Sequence, residues 1–194
     1  VTAHGSGNIY ERAAAGNLSV NADHTSTSGH LTLLASQTLT LAADLATSST
    51  GTVDLEANLI TATATADVTT ADGDIRLASA TNIILGGVLT TNLEISLIAT
   101  AGSITDVDAD NSVDLVATGL RIVAGLGAGE SNNHLESTVT TLTARATSGG
   151  LFLTETDTLT IDDVAATVQK VAVDATTTPV TDATQSDLIT SAGN

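Results

Sequence analysis

Asp106-Val-Asp-Ala-Asp-Asn111 sets carboxylates at alternating positions, the arrangement that opens an EF-hand calcium loop. The position where a bidentate Glu would close such a loop is Ala117, and Asn111 stands where its sharp turn takes Gly. Asp106, Asp108 and Asp110 are therefore Ca2+ candidates with an incomplete ligand set, and a polar corner between two strands accounts for the same residues. The Gly-rich calcium repeat G-G-x-G-x-D is absent. No cofactor other than such a cation is expected.

Glu155 and Asp157 lie two apart, so on a strand they project from one face. Paired carboxylates on a β-helix face can hold water or metal for sugar chemistry. That chemistry also needs a basic group at the cleaved bond, yet Lys170 is the only Lys and the nearest Arg in sequence is Arg145. Asp162-Asp163 follows, with its two side chains directed to opposite faces if it is a strand. His24 and His30 flank Thr25-Ser-Thr-Ser-Gly29 without further ligands at suitable spacing, so they read as exposed corner histidines. Gly125-Leu-Gly-Ala-Gly lacks the Lys and the helix of a phosphate loop. Thr38/Thr40, Thr61/Thr63/Thr65, Thr141/Thr143 and Thr158/Thr160 present paired hydroxyls, as ice-binding solenoids do. Counted from Gly29 and Gly51, Thr38/Thr40 and Thr61/Thr63/Thr65 differ in register by one, which favours Thr as a β-branched strand filler. No residue is assigned a catalytic role, and the chain is not expected to be an enzyme.

The elements that would carry these residues emerge when the glycines are aligned. Gly7, Gly29, Gly51 and Gly73 are spaced by 29−7 = 22, 51−29 = 22 and 73−51 = 22. In that register Ile9, Leu31, Val53 and Ile75 share a column, as do Glu11, Leu33, Leu55 and Leu77, and then Ala13, Ala35, Ala57 and Ser79. This is period-two alternation, the mark of a strand with one buried face. Ile95/Leu97/Ala99 repeats the triplet, as does Val113/Leu115/Ala117, and Leu151/Leu153 carries it again. Second runs lie between them at Leu39/Leu41, Ile83/Leu85, Leu120/Ile122 and Leu159/Ile161. Each coil thus offers two or three short strands with polar corners.

Coils of about 18–22 residues predict an all-β fold, a right-handed parallel β-helix (β-solenoid) spanning 1–194 as one segment. Roughly nine coils at the interstrand spacing of about 4.8 Å give a rod of about 40 Å. Gly125 to His134 breaks the alternation and is expected to be an outward loop. Lys170 to Asn194 is the weakest coil, with Thr176-Thr-Thr-Pro179 as a turn. The chain opens and stops mid-pattern, which reads as an interior piece of a longer repeat protein.

Composition fits a narrow, regular interior. Hydrophobic residues make up 42% but aromatic residues 1%, with no Cys, Met or Trp. A core built from Leu, Ile, Val, Ala and Thr closes only if the same small shapes stack repeatedly. Five Lys+Arg against 22 Asp+Glu give a net charge of −17, which argues against nucleic acid and against anionic membrane surfaces. No apolar run reaches the roughly 20 residues of a membrane-spanning helix, so no membrane insertion is expected.

Three segments carry a family likeness. Gly73-Asp-Ile-Arg-Leu, Ala101-Gly-Ser-Ile-Thr-Asp-Val-Asp, and Gly125-Leu-Gly-Ala-Gly with Leu135-Glu-Ser-Thr-Val-Thr-Thr-Leu and Gly150-Leu-Phe-Leu-Thr-Glu resemble the coils of filamentous-haemagglutinin-like giant surface proteins of bacteria. The likeness covers about residues 73 to 165. It implies secretion, display at the bacterial cell surface, and adhesive or scaffolding work by a long rod. The partners it implies are neighbouring coils or identical subunits end to end, and a host-surface or matrix glycan. Two other classes fit less of the sequence: a carbohydrate-active β-helix enzyme using Glu155 and Asp157, and a binding module for Ca2+, ice or glycan.

Overall fold

A computed structural model describes residues 1–108 and 111–192. Among these residues it is a β-solenoid of about 7 turns, with no helix and 56% strand. Each turn lays one short strand on each of three faces. The first turn carries β1 (Thr2–Ala3), β2 (Ile9–Ala13) and β3 (Leu18–Val20). The second carries β4 (His24–Ser26), β5 (Leu31–Ala35) and β6 (Thr38–Leu41). The third has β7 (Leu45–Thr47), β8 (Val53–Ala57) and β9 (Leu59–Ala62), and the fourth β10 (Val68–Thr69), β11 (Ile75–Ser79) and β12 (Ile83–Leu85). The fifth has β13 (Leu89–Thr90), β14 (Glu94–Ala99) and β15 (Ile104–Asp106). The next two turns fuse the first two faces into single long strands, β16 (Leu115–Ala124) and β17 (Leu135–Ala146). Their third face is reduced to bridges from Ile104 to Ala128 and from Ala128 to Leu151.

All stacking within the rod is parallel and in register. On the second face one column runs Ile9, Leu31, Val53, Ile75, Ile95, Leu120, Leu142, Ile161. Successive differences are 22, 22, 22, 20, 25, 22 and 19 residues, so the coil length drifts about the period seen in the glycines. From Leu31 to Leu142 every member is buried, as are the partners Leu33, Leu55, Leu77, Leu97 and Ile122. Each such side chain contributes about 1.5–3 kcal/mol by leaving water. The 25-residue step moves one expected column. Leu120, Ile122 and Ala124 stack on Ile95, Leu97 and Ala99, whereas Leu115 lies on the first face over Leu89.

The glycine column marks the corner between the first and second faces, and its chemistry is steric. A Cβ on Gly29, Gly51 or Gly73 would overlap the carbonyl oxygen of the glycine one turn earlier. The carbonyls of Gly7, Gly51 and Gly73 are also capped by buried hydroxyls. Ser26 Oγ donates to Gly7 O at 2.7 Å and Thr47 Oγ1 to Gly51 O at 2.7 Å. Thr70 Oγ1 and Thr91 Oγ1 both donate to Gly73 O. The corner between the third and first faces uses carboxylates instead. Asp23 accepts the Asp44 N–H (3.3 Å), Asp44 that of Asp67 (3.0 Å), and Asp67 that of Val88 (2.9 Å). Where the chain turns and the ladder offers no carbonyl, a side-chain oxygen from the previous turn takes the proton.

Gly125 to Gly129 is not an outward loop. It supplies the third face of its turn, with Ala128 fully buried. Gly129 takes φ +71, and a side chain there would meet the Phe152 carbonyl. Only Glu130 to Asn133 turns outward, closed by Glu130 N–H to Asn133 O at 2.7 Å.

The stack is shorter than nine coils because part of the chain leaves it. β18 (Leu153–Glu155) and β19 (Thr160–Ile161) pair with β17, after which the chain departs as the antiparallel hairpin β20 (Val164–Val171) and β21 (Thr177–Gln185). It returns as β22 (Leu188–Thr190), again on β17. The expected turn at Thr176–Pro179 is displaced. The hairpin reverses at Ala172–Thr176, with Ala175 at φ +65, and Pro179 sits in β21 opposite Gln169. Pro is tolerated there because β21 is an edge strand.

The hairpin lies across the coils on the outside of the second face. Its free edge is satisfied by side chains of successive turns: the Val171 N–H donates to Thr32 Oγ1 (2.8 Å), Gln169 to Thr52 Oγ1 (2.9 Å) and Thr167 to Asp74 Oδ2 (2.6 Å). Val164, Ala166 and Val168 are buried beneath it. So are the outward-facing Thr32, Asp54, Ser96, Arg121 and Thr143 of the coils. At the centre Arg76 binds Asp54 (2.8 Å), Glu56 (2.8 Å) and Asp182 of β21 (3.1 Å), while Lys170 of β20 binds Glu56 (2.6 Å). Burial opposes the Arg76 charge, but Asp182 and Asp54 outweigh it and hold the guanidinium above its ordinary pKa.

Candidate metal centre

Asp106 ends the third face of the fifth turn, and the chain reaches the first face of the next turn at Asp114. Glu136 stacks directly on Asp114, because Leu115 pairs with Ser137 one residue on. Asp114 Oδ2 accepts the Glu136 N–H at 3.0 Å, repeating the carboxylate capping of earlier turns. Here three acids meet. One carboxylate oxygen each from Asp106, Asp114 and Glu136 lies within 4.8 Å of the others, and all three residues are buried.

Few partners offset this concentration of charge. Asn133 Nδ2, brought in by the Glu130–Asn133 turn, donates to Asp106 Oδ2 at 3.3 Å, to Asp106 O at 3.2 Å and to Asp108 O at 2.7 Å. The Asp108 N–H donates to Asp106 Oδ1 at 3.3 Å. Glu136 Oε2 is buried without a hydrogen-bond partner. Among the described residues no Lys or Arg pairs with any of the three. Burial, with the charges of Asp106, Glu136 and Asp108, pushes the Asp114 carboxyl up to about 7 against the pull of the Glu136 N–H. Asp106 is raised as well, first by burial. A cleft of about 260 Å³ bordered by Asn111, Ser131, Asn132, Asn133 and His134 opens onto Glu136.

Of the three acids expected from the sequence, Asp106 belongs to the cluster. Asp108 contributes its backbone to the Asn133 contact, and Asp110 lies outside the described residues. Asp114 and Glu136 were not singled out, although their spacing of 136−114 = 22 residues is one coil, the same signal the glycines carry.

The other expected sites are dispersed. Glu155 is turned onto β17, accepting from Ser137 Oγ (2.8 Å) and the Val139 N–H (3.1 Å), while Asp157 is exposed. Lys170 belongs to the hairpin and Glu56. His24 is not an exposed corner residue; it is buried, with Nε2 at 2.7 Å from Glu11 Oε1 and Nδ1 at 2.8 Å from Ala22 O. His30 Nδ1 accepts the Thr52 N–H at 3.1 Å. The one-residue offset of the threonines is absorbed at a corner, so that Thr40 and Thr61 pair directly. The flanking column runs Thr38 to Leu59; the column itself begins at Ser19 and passes from Thr61 to Ile84, so only two turns of it carry Thr before it is interrupted.

Buried Asp74 and half-buried Glu94 add to the pH response of the rod, in which Asp114 at about 7 titrates between pH 5.5 and 8. Asp74 accepts N–H groups from Thr167 and Glu94, and Glu94 Oε2 is buried without a partner. Burial raises the pKa of both, and the Asp74 charge raises Glu94 further. The folded state therefore holds protons that the unfolded chain has released, and stability falls as pH rises through the raised values. Burial lowers His30, which works in the opposite sense below its ordinary 6.5. The acids outnumber it, and protonation also relieves the −17 self-repulsion. Calorimetry at fixed ionic strength should show a higher melting temperature at pH 5.5 than at pH 8, by about 2–4 °C per kcal/mol of relief. A higher value at pH 8 would contradict this account.

No protein-family model matches the chain, and comparison with curated proteins and with solved structures finds no match.

Proposed function

We propose that this chain is a structural segment of an extracellular bacterial surface fibre, a stiff rod that extends by stacking coil on coil. The observation that carries the reading is the uninterrupted parallel register on all three faces through β15. Such a stack spreads stability over every turn rather than concentrating it at a site. Among the described residues β1, β2 and β3 each pair on one side only, an edge geometry suited to another parallel coil. The acidic sides discourage lateral clumping and leave the axial direction open. The resemblance of residues 73 to 165 to haemagglutinin-like surface repeats supports secretion and an adhesive setting, with a surface glycan as the outside partner.

Axial stacking is tested by electron microscopy and sedimentation of the purified chain across protein and salt concentration. Rods that lengthen with concentration, and more so in salt that screens the −17 charge, are expected. Particles that stay single and compact throughout would remove the fibre reading.

A further inference from the structure

We propose that Asp106, Asp114 and Glu136 form a binding site for one Ca2+ ion that clamps the corner joining the last three full turns of the rod. This goes beyond the fibre reading and does not depend on it. Two observations carry it. The first is convergence: three carboxylate oxygens within 4.8 Å of one another. Ligands of one Ca2+ at about 2.4 Å lie no farther apart than about 4.8 Å, so the three oxygens can share one ion; Ca2+ accepts carboxylates in flexible geometry, whereas Mg2+ demands a near-ideal octahedron and keeps most of its water. The second is Glu136 itself. It is 5% exposed, its carboxylate reaches into the cluster, and Oε2 has no hydrogen-bond partner. A buried carboxylate oxygen left without a partner is costly unless a cation meets it.

The donor set selects the class of ion. All three donors are carboxylate oxygens, which suit hard cations, and neither His nor Cys takes part. Three carboxylates with no Lys or Arg paired to them favour a divalent ion over a monovalent one. The polar cleft of Asn111, Ser131 and Asn132 offers an entry path and room for the water ligands that raise the coordination to the six to eight oxygens Ca2+ takes. The same corner in earlier turns shows why the site occurs once among the described residues. Asp23, Asp44 and Asp67 form a similar column, but Asp23 and Asp67 are exposed and each caps an N–H, so water serves them. Asp106, Asp114 and Glu136 are instead all buried, and of the three only Glu136 lines the cleft.

The test is titration calorimetry with CaCl2 on EDTA-treated full chain, alongside melting curves in CaCl2, in MgCl2 and in KCl of equal ionic strength. Wild type should bind one Ca2+ per chain with Kd at or below about 1 mM, the range of extracellular calcium modules. Its melting temperature should rise with CaCl2 beyond the KCl control. Glu136→Gln and Asp114→Asn should each weaken binding at least tenfold. Each also removes one repelling charge, so in EDTA Glu136→Gln should melt at or above wild type while losing the Ca2+ response. Absence of binding heat, a CaCl2 effect no larger than that of KCl, or wild-type affinity in both variants would overturn the site. A response to MgCl2 equal to that of CaCl2 would overturn the assignment of the ion.

Discussion

Arg76→Met should destabilise the fold by about 3–5 kcal/mol, the cost of removing one partner from a buried ion network. Its side chain is 12% exposed and meets Asp54, which is fully buried, and Asp182, at 8%. Truncation leaves both carboxylates without their cation, and Asp54 already has one oxygen unpartnered. Burial and the charge of Glu56 keep the Asp54 pKa raised even with Arg76 in place. Arg76→Lys should lose less, since it retains charge but not the fork that reaches three acids. Chemical denaturation measures the loss, and trypsin localises it. Lys170 lies in β20, so cleavage after it reports release of the hairpin. A loss below about 1 kcal/mol, the range of exposed ion pairs, with no faster cleavage at Lys170 would show that the network does not hold the hairpin down.

Gly73→Ala is the second large effect, and it acts on the backbone. The added Cβ would overlap the Gly51 carbonyl and approach the Thr52 N at 3.1 Å. Neither neighbour is the end of a flexible side chain, so two turns must separate locally. The same shift strains the Thr70 and Thr91 hydroxyls that donate to the Gly73 carbonyl. Overpacking costs about 1–3 kcal/mol, and a clash with stacked backbone belongs at the upper end. Ala71→Gly, two residues earlier and half-buried, should cost less than about 1 kcal/mol. Hydrogen exchange should show lost protection centred on residues 51–55 and 73–77. Equal losses for the two variants would mean that the glycine column is not set by close approach.

That column was legible in the sequence because one steric requirement recurs each turn and leaves its mark at a fixed interval. The second-face strands were legible for a similar reason: Leu31/Leu33/Ala35 and their copies show three inward positions each. First-face strands such as Val68–Thr69 and Leu89–Thr90 are too short for alternation to register, so that face of the rod was only half visible. The hairpin was hidden differently. Val164-Ala-Ala-Thr-Val-Gln-Lys-Val171 buries alternate residues just as a coil strand does, and alternation does not distinguish a parallel neighbour from an antiparallel one laid across it. The carboxylate cluster was found by one member. Asp106 drew notice for its local spacing, whereas Asp114 and Glu136 become neighbours only through stacking.

The hairpin also changes how the rod would respond to force. Axial tension on a bare solenoid loads the ladders in series, and the weakest interface between turns yields first. Here β20 and β21 are tied to Thr32, Thr52, Asp74 and Arg76, and farther along to the Ile122 carbonyl through Gln185 and to Arg121 through the Ala183 carbonyl. Those anchors span the second to the sixth turn, so no interface between them can open without shearing the hairpin as well. The two ends of the excursion, Ile161 and Leu188, leave and rejoin the same strand within three positions, at Leu142 and Ala144. It therefore acts as a tie rod fixed to one end of the stack, and the turns it spans stretch as one unit.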